Sequence, residues 1–242
     1  MEFSFLFPLP AKIELNISEG EKIKEGDILG HYLSEKKISL NLAQKLGLPP
    51  KKVGQALTIS LGNGVKEGDL LAEKKSLWGS SVKIYSPVGG KAFSFDQERG
   101  ILTLVSPAKK VAVRAPINGK IEKVEKEGLV IKTEGTIFPL CWAKGKIVFG
   151  PLKKYAGSLA NLNIEDRGKI LFFTEIINLS LIKKSEALKI KGLISAKKSD
   201  DFPTFLTLAQ LKNPDDEEKI AAYENQKAVL DPKNKVLAIV NS

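Results

Sequence analysis

The chain holds few of the side chains that nucleophilic, redox or metal chemistry requires, and they lie far apart. Its one cysteine, Cys141, sits in Phe138-Pro139-Leu140-Cys141-Trp142, and its one histidine, His31, follows Leu29-Gly30. A thiolate nucleophile needs a base beside it, and zinc needs several His or Cys ligands. Neither spacing is present. A lone cysteine in apolar company reads as a small buried hydrophobe, and His31 reads as a residue on the surface of a strand. Carboxylates gather at Asp200-Asp201 and at Asp215-Asp216-Glu217-Glu218. Magnesium would want such oxygens, but consecutive acids in polar stretches read more simply as solvated loops or helix N-termini. No glycine array matches a P-loop or a dinucleotide fingerprint, and Gly62-Asn63-Gly64 fits a hairpin turn. The sequence therefore assigns no catalytic residue, cofactor or metal.

Lysine is the abundant functional group. Lys and Arg number 38 against 28 Asp and Glu, a net charge of +10. Lysine pairs at 36–37, 51–52, 74–75, 109–110, 153–154, 183–184 and 197–198 spread the charge along the whole chain. The arginines are Arg99, Arg114 and Arg167. Arginine's planar fork suits base and phosphate recognition, whereas lysine is a hydrated point charge. The simplest reading is a solvated, lysine-rich surface. Nucleic-acid binding is the alternative, if folding gathers the lysines onto one face.

The elements that must position these residues change character along the chain. At 242 residues and 43% hydrophobic content, one large or two ordinary domains can form. Up to residue 145 the pattern is short strands broken by Gly and Pro, and from Val82 onward the breaks come at roughly ten-residue intervals, the rhythm of a sandwich or barrel. Residues 11–17 alternate, with Ile13, Leu15 and Ile17 on one face. Residues 39–57 read instead as a short helical insert, with Gly47 as a cap and Pro49-Pro50 opening a second turn through Leu57. From Lys146 onward, residues 169–196 read as a strand–helix–strand unit, with the helix over 179–190 and Gly192 as its cap. Residues 202–211 fit a second helix with Pro203 early in it. Residues 215–229 leave helix and loop both open, and 236–240 form a last apolar strand. The loop Thr174-Glu175-Ile176-Ile177-Asn178 lies at the C-terminal end of a strand, where α/β domains bind ligands, so Thr174, Glu175 and Asn178 are small-ligand candidates.

No run approaches the roughly 20 apolar residues of a spanning helix. Glu2, Pro8 and Pro10 disagree with a secretory signal, and one cysteine rules out an internal disulfide framework. A cytoplasmic protein with no membrane association is expected, its oligomeric state open. The abrupt end after the last strand leaves open whether the chain continues.

Internal repetition is the strongest signal in the sequence. Ile23-Lys24-Glu25-Gly26-Asp27-Ile28-Leu29 returns as Val65-Lys66-Glu67-Gly68-Asp69-Leu70-Leu71. A second phrase appears as Pro8-Leu9-Pro10-Ala11-Lys12-Ile13, Pro87-Val88-Gly89-Gly90-Lys91-Ala92 and Pro116-Ile117-Asn118-Gly119-Lys120-Ile121. Over about residues 60–135, and again over 7–33, these phrases resemble the biotinyl/lipoyl-like barrel-sandwich hybrid domain. That fold also occurs in efflux adaptors and in the large RNA polymerase subunit, so the resemblance speaks to architecture more than to role. Carriers of the family present a modifiable lysine at a hairpin tip. The matching stretch here is Ser76-Leu77-Trp78-Gly79-Ser80-Ser81, which has no lysine, and Lys74 and Lys75 come too early. A biotin or lipoyl carrier is therefore not expected. The whole chain also resembles an uncharacterised bacterial two-domain family. The shared phrases are Val130-Ile131-Lys132-Thr133-Glu134-Gly135, Gly168-Lys169-Ile170-Leu171 and Ile190-Lys191-Gly192-Leu193-Ile194.

The expected architecture is a mainly β barrel-sandwich hybrid over 1–145, with its helical insert, followed by a small α/β domain over 146–242. The expected role is non-catalytic binding or scaffolding with a protein partner, with nucleic-acid binding or a ligand-binding enzyme as alternatives. Leu77 and Trp78 at the tip, with Lys74, Lys75 and Lys83 beside them, are the candidate partner-binding residues.

Overall fold

The computed structural model describes residues 1–75, 81–155, 161–197 and 203–241. The fold is mainly β. Its chain forms two compact units, residues 1–30 with 112–242, and residues 31–111. This partition is drawn by contact and cuts across the expected division into 1–145 and 146–242.

The smaller unit contains β5 (Lys37–Asn41), β6 (Gly64–Val65), β7 (Leu70–Lys75), β8 (Ser81–Tyr85), β9 (Gly90–Asp96) and β10 (Ile101–Val105). One sheet runs β5-β10-β9-β6, and β7 pairs with β8. The larger unit repeats that order with β1 (Glu2–Pro8), β13 (Gly128–Lys144), β12 (Gly119–Glu125) and β3 (Lys22–Ile23). A small sheet orders β11 (Lys109–Arg114), β4 (Ile28–Ser34) and β2 (Glu14–Leu15).

The repeated phrases are the joints of two copies of one motif. In the first copy Gly26 N–H donates to Ala115 O at 2.9 Å, and Ala115 N–H donates to Asp27 O at 2.8 Å. In the second, Gly68 N–H donates to Ser86 O at 2.8 Å, and Ser86 N–H donates to Asp69 O at 2.8 Å. The Asp side chain closes each turn: Asp27 Oδ2 accepts from Lys24 N–H and Asp69 Oδ2 from Lys66 N–H, both at 2.7 Å. The glycine between takes φ of +90° at Gly26 and +86° at Gly68, where a side chain would be strained. The next joint matches as well. Gly20 N–H donates to Ile121 O and Gly62 N–H to Ala92 O, each at 2.7 Å. Even the irregularity repeats, since a bulge falls between Ile121 and Lys123 in β12 and another beside Ala92 in β9.

The copies are nested. β4 and β11 take the places in the first copy that β7 and β8 take in the second. The chain between β4 and β11 is the second copy itself.

The helical insert lies within 39–57 as expected. It comprises α1 (Leu42–Leu46), α2 (Pro50–Val53) and a short 3-10 turn. Asn41 Oδ1 accepts from Gln44 N–H at 3.0 Å, and Gly47 ends α1 at φ 58°. Leu42, Leu46 and Val53 fill the second copy's core with Leu71, Leu102 and Leu104.

β13 continues past the first motif into a closed ring. Its neighbours there are β19 (Val236–Val240) and β17 (Thr207–Leu211). The ring continues from β17 through β16 (Gly192–Ser195), β15 (Ile170–Phe173), β14 (Val148–Tyr155) and β18 (Lys227–Asp231) back to β19. β14 to β17 run parallel, and the remaining pairs are antiparallel. Alternate residues, among them Phe138, Leu152, Phe172, Ile194, Ala209 and Ile239, meet in one core. Ile220 of α4 (Asp216–Ala221) joins them. Outside, α3 (Leu179–Leu188) packs Leu181 and Ile182 against Leu171, Phe173 and Leu193.

Three expectations need correction. Residues 207–211 form a strand, because the apolar Leu206, Leu208 and Leu211 serve both faces of the ring and need no helical stripe. The cap of α3 is Lys189, at φ 59°, whose N–H reaches Glu186 O and Ser185 O. Gly192 instead begins β16, where an added Cβ would lie 3.0 Å from Leu230. Cys141 is exposed. It is the extra residue where β13 slips its pairing with β17 between Leu140 and Trp142, so the bulge turns it outward.

Candidate functional site

Of the residues singled out from the sequence, most of those described serve to hold local structure. Leu77 and Trp78 lie outside the described residues, as do Asp200 and Asp201. Lys74 is committed to structure: its Nζ donates to Leu46 O at 3.1 Å and Gly47 O at 3.2 Å, satisfying carbonyls at the end of α1. Lys83 faces Glu73 at 3.8 Å. Lys75 is exposed at the end of β7, beside an open cleft of about 490 Å³ against the helical insert. Thr174 and Glu175 follow β15, and Asn178 caps α3 by accepting from Leu181 N–H at 2.9 Å. The Glu175 carboxylate meets Lys197 Nζ at 3.0 Å, and its carbonyl accepts from Ser195 Oγ at 2.8 Å. Asn178 and Glu175 therefore already have partners that hold the strand–helix turn. In α4, Asp216 pairs with Lys219 at 2.9 Å and Glu217 with Lys154 at 3.5 Å. Among the described residues no group of three or more His, Cys, Asp or Glu stands close enough to hold a metal ion. No helix among them is long and apolar enough to cross a membrane.

The surfaces with shape lie where the two motifs meet their surroundings. In the first copy the outer face is closed by the ring. Phe149 of β14 packs its ring 5.3 Å from Phe5 and 5.7 Å from Phe7. Val229, Ala238 and Val240 join Ile117 and Ile131 in one core. Asn241 N–H donates to Glu134 O at 3.0 Å, and Lys227 Nζ meets Glu25 Oε1 at 2.5 Å. Glu25 N–H donates to Asn118 Oδ1 at 2.8 Å. Lys191 Nζ donates to Phe149 O at 2.5 Å. Loss of water around that ammonium, and then the charge of Lys227, pull its pKa below the usual lysine value, while Glu25 opposes them.

Beside this seam a cleft of about 460 Å³ gathers Lys22, Lys120 and Lys132 with Thr133 and Asn241. Glu2 neutralises part of it: Lys132 Nζ lies 2.6 Å from Glu2 Oε2. That hydrogen bond raises the pKa of Lys132 and keeps it charged.

The second copy has an open groove instead, of about 550 Å³. Half-buried Ile38 and Val88 form its floor, and exposed Pro107, Lys36, Lys109 and Glu67 stand at its rim. Sequence reasoning missed this groove. The signal was there in the repeat itself, since Val88 and Glu67 stand in the phrases that also hold Ile117 and Glu25.

Elsewhere the ring carries a structural charge cluster. Asp166 is fully buried, with Lys153 Nζ at 2.6 Å and Lys169 Nζ at 3.9 Å. Burial pushes its carboxyl up, but the bond from Lys153, the Asn163 N–H and the charges of both lysines outweigh that. The carboxyl is held below its ordinary value.

No family model matches the chain, and no curated protein matches it. Among solved structures, the solution NMR structure of a UPF0107 protein is similar over 44% of this chain and 100% of its own length. Its identity is 13% and its TM-score 0.34, too low to carry an argument about fold or role.

Proposed function

We propose that the protein is a non-catalytic binding or scaffold protein. In this reading residues 1–145 hold two nested copies of a biotinyl/lipoyl-like barrel-sandwich hybrid, and residues 146–242 form a small C-terminal domain. The partner is a protein. One observation carries the reading: the chain between β4 and β11, where the first copy's hairpin tip would be, is the second copy. A carrier needs that tip for its modified lysine. The second copy's own connection, Ser76-Leu77-Trp78-Gly79-Ser80, contains no lysine. Both copies therefore keep the frame of a carrier without its chemistry. The pairing of Glu175 with Lys197 and the use of Asn178 as the cap of α3 weigh against an enzyme built on that loop.

Intact mass of the protein purified from its source cells tests this reading. The account expects the unmodified mass, and a mass raised by biotin or lipoate would overturn it. Lys22 and Lys120 around one cleft favour nucleic acid as the second reading. Affinity for single-stranded RNA would then fall steeply between about 50 and 200 mM salt as counterions are released, and a flat response removes that reading.

A further inference from the structure

The two copies match joint for joint, so each surface of one can be read against the other. In the first copy, Phe5 pairs with Ile131 and Ile117 follows the Ala115 joint. In the second, Ile38 pairs with Leu104 and Val88 follows the Ser86 joint. Behind these positions the cores agree, with Ile131 and Leu104 both 0% exposed. In front of them they differ. Phe5 and Ile117 are 2% and 1% exposed under the ring, while Ile38 and Val88 are only half-buried at the floor of the open groove.

What covers the first copy defines what fits the second. The cover is the β18–β19 pair together with Phe149 of β14, whose ring packs on Phe5; the pair brings aliphatic Val229, Ala238 and Val240, the cation Lys227 for Glu25, and the Asn241 N–H for Glu134 O. The second copy offers the corresponding groups. Glu67 occupies the place of Glu25 in the repeated turn, Val88 the place of Ile117, and Pro107 the place of Glu134. Pro107 lacks an N–H, but the bond made at Glu134 needs just the carbonyl, which proline keeps.

We propose that the groove formed by Ile38, Val88, Pro107 and Glu67 is a docking site for an extended segment of a partner protein. That segment presents aliphatic side chains to the floor and a lysine or arginine to Glu67. This is strand addition onto a β scaffold, in which main-chain hydrogen bonds hold the segment and alternate side chains select it. The proposal rests on the binding role above and gives it a place and a ligand chemistry.

The probe is a labelled synthetic peptide of residues 225–241, the hairpin that covers the first copy, titrated against the full chain by fluorescence anisotropy. Saturable binding is expected, weakened about tenfold or more by Val88→Glu and by Glu67→Lys, each a loss of about 1.4 kcal/mol or more. A peptide carrying Lys227→Glu should bind the wild type poorly and regain affinity for the Glu67→Lys variant. Thermal melting confirms that both variants fold, as expected for a half-buried and an exposed site. No binding, or binding indifferent to both substitutions, overturns the groove. If a protein partner is still captured from lysate in that case, the groove is lost and the binding role stands. If neither peptide nor partner binds, both fall.

Discussion

The two copies share turns, joints and bulges, yet one of their faces meets opposite fates. Phe5 and Ile117 of the first copy are sealed under the ring, and Ile38 and Val88 of the second are left at the floor of a groove. Backbone hydrogen bonds are nearly interchangeable between the copies, because they depend on Gly, Asp and strand register rather than on what lies outside. The difference lies in the cover. It teaches that this frame presents an apolar face calling for a strand pair, and that among the described residues such a pair covers the first copy alone. All the ionisable groups with displaced pKa values among the described residues, including Asp166 and Glu186, also lie in the larger unit.

Truncation of the matched pair Phe5 and Ile38 should break the symmetry most. Phe5→Ala is expected to cost about 4 kcal/mol, since it empties a sealed core. Ile38→Ala should cost about 1 kcal/mol, because part of that side chain already meets water. Denaturant unfolding of each variant measures the gap, and equal losses would mean the groove is covered in solution.

Acid should separate the two units next. The Asp166 carboxyl is lower in the folded state than its unfolded value of about 3.9, so its contribution is present above that value and is lost as pH falls through the folded one. Glu186, held down by bonds from Thr204 Oγ1 and Phe205 N–H, acts in the same direction. Unfolding followed by circular dichroism should therefore show the larger unit failing first below about pH 4. Asp166→Asn should cost about 3 kcal/mol at neutral pH, because Lys153 loses its partner. If acid melts both units together, the cluster is not what distinguishes them.

Two matched changes should have equal effects in the two copies. An added Cβ at Gly119 would lie 2.6 Å from Lys132 O, and at Gly90 it would collide with Val105 O. Gly119→Ala and Gly90→Ala should each cost about 2 kcal/mol of the unit that holds them. Asp27→Ala and Asp69→Ala remove the same turn hydrogen bond and should each cost about 1 kcal/mol. Thermal melts of the four variants check both pairs, and a large mismatch within either pair would break the equivalence of the copies.

The repeats, the helical insert, the parallel strand–helix–strand unit and the last strand were legible because local rules govern them. Glycine at positive φ, aspartate closing a turn and period-2 alternation all act within a few residues. The ring was not legible, because its closure depends on β13 running 17 residues and pairing along both edges. Nothing local in Pro139 or Cys141 announces that path. Residues 207–211 misled for a related reason: in a ring buried on both faces, Leu206, Leu208 and Leu211 satisfy a strand and an amphipathic helix alike. The groove was hidden because exposure at Val88 depends on the absence of a cover, and a cover is a tertiary fact.

Capture of partners from source-cell lysate is the most direct test of the account. Tagged wild-type protein and the Val88→Glu variant are compared, each with and without nuclease. The account predicts a protein partner that withstands nuclease with the wild type and is lost with the variant. Recovery that disappears on nuclease treatment would contradict it, and would place the lysines of the first copy's cleft on nucleic acid instead.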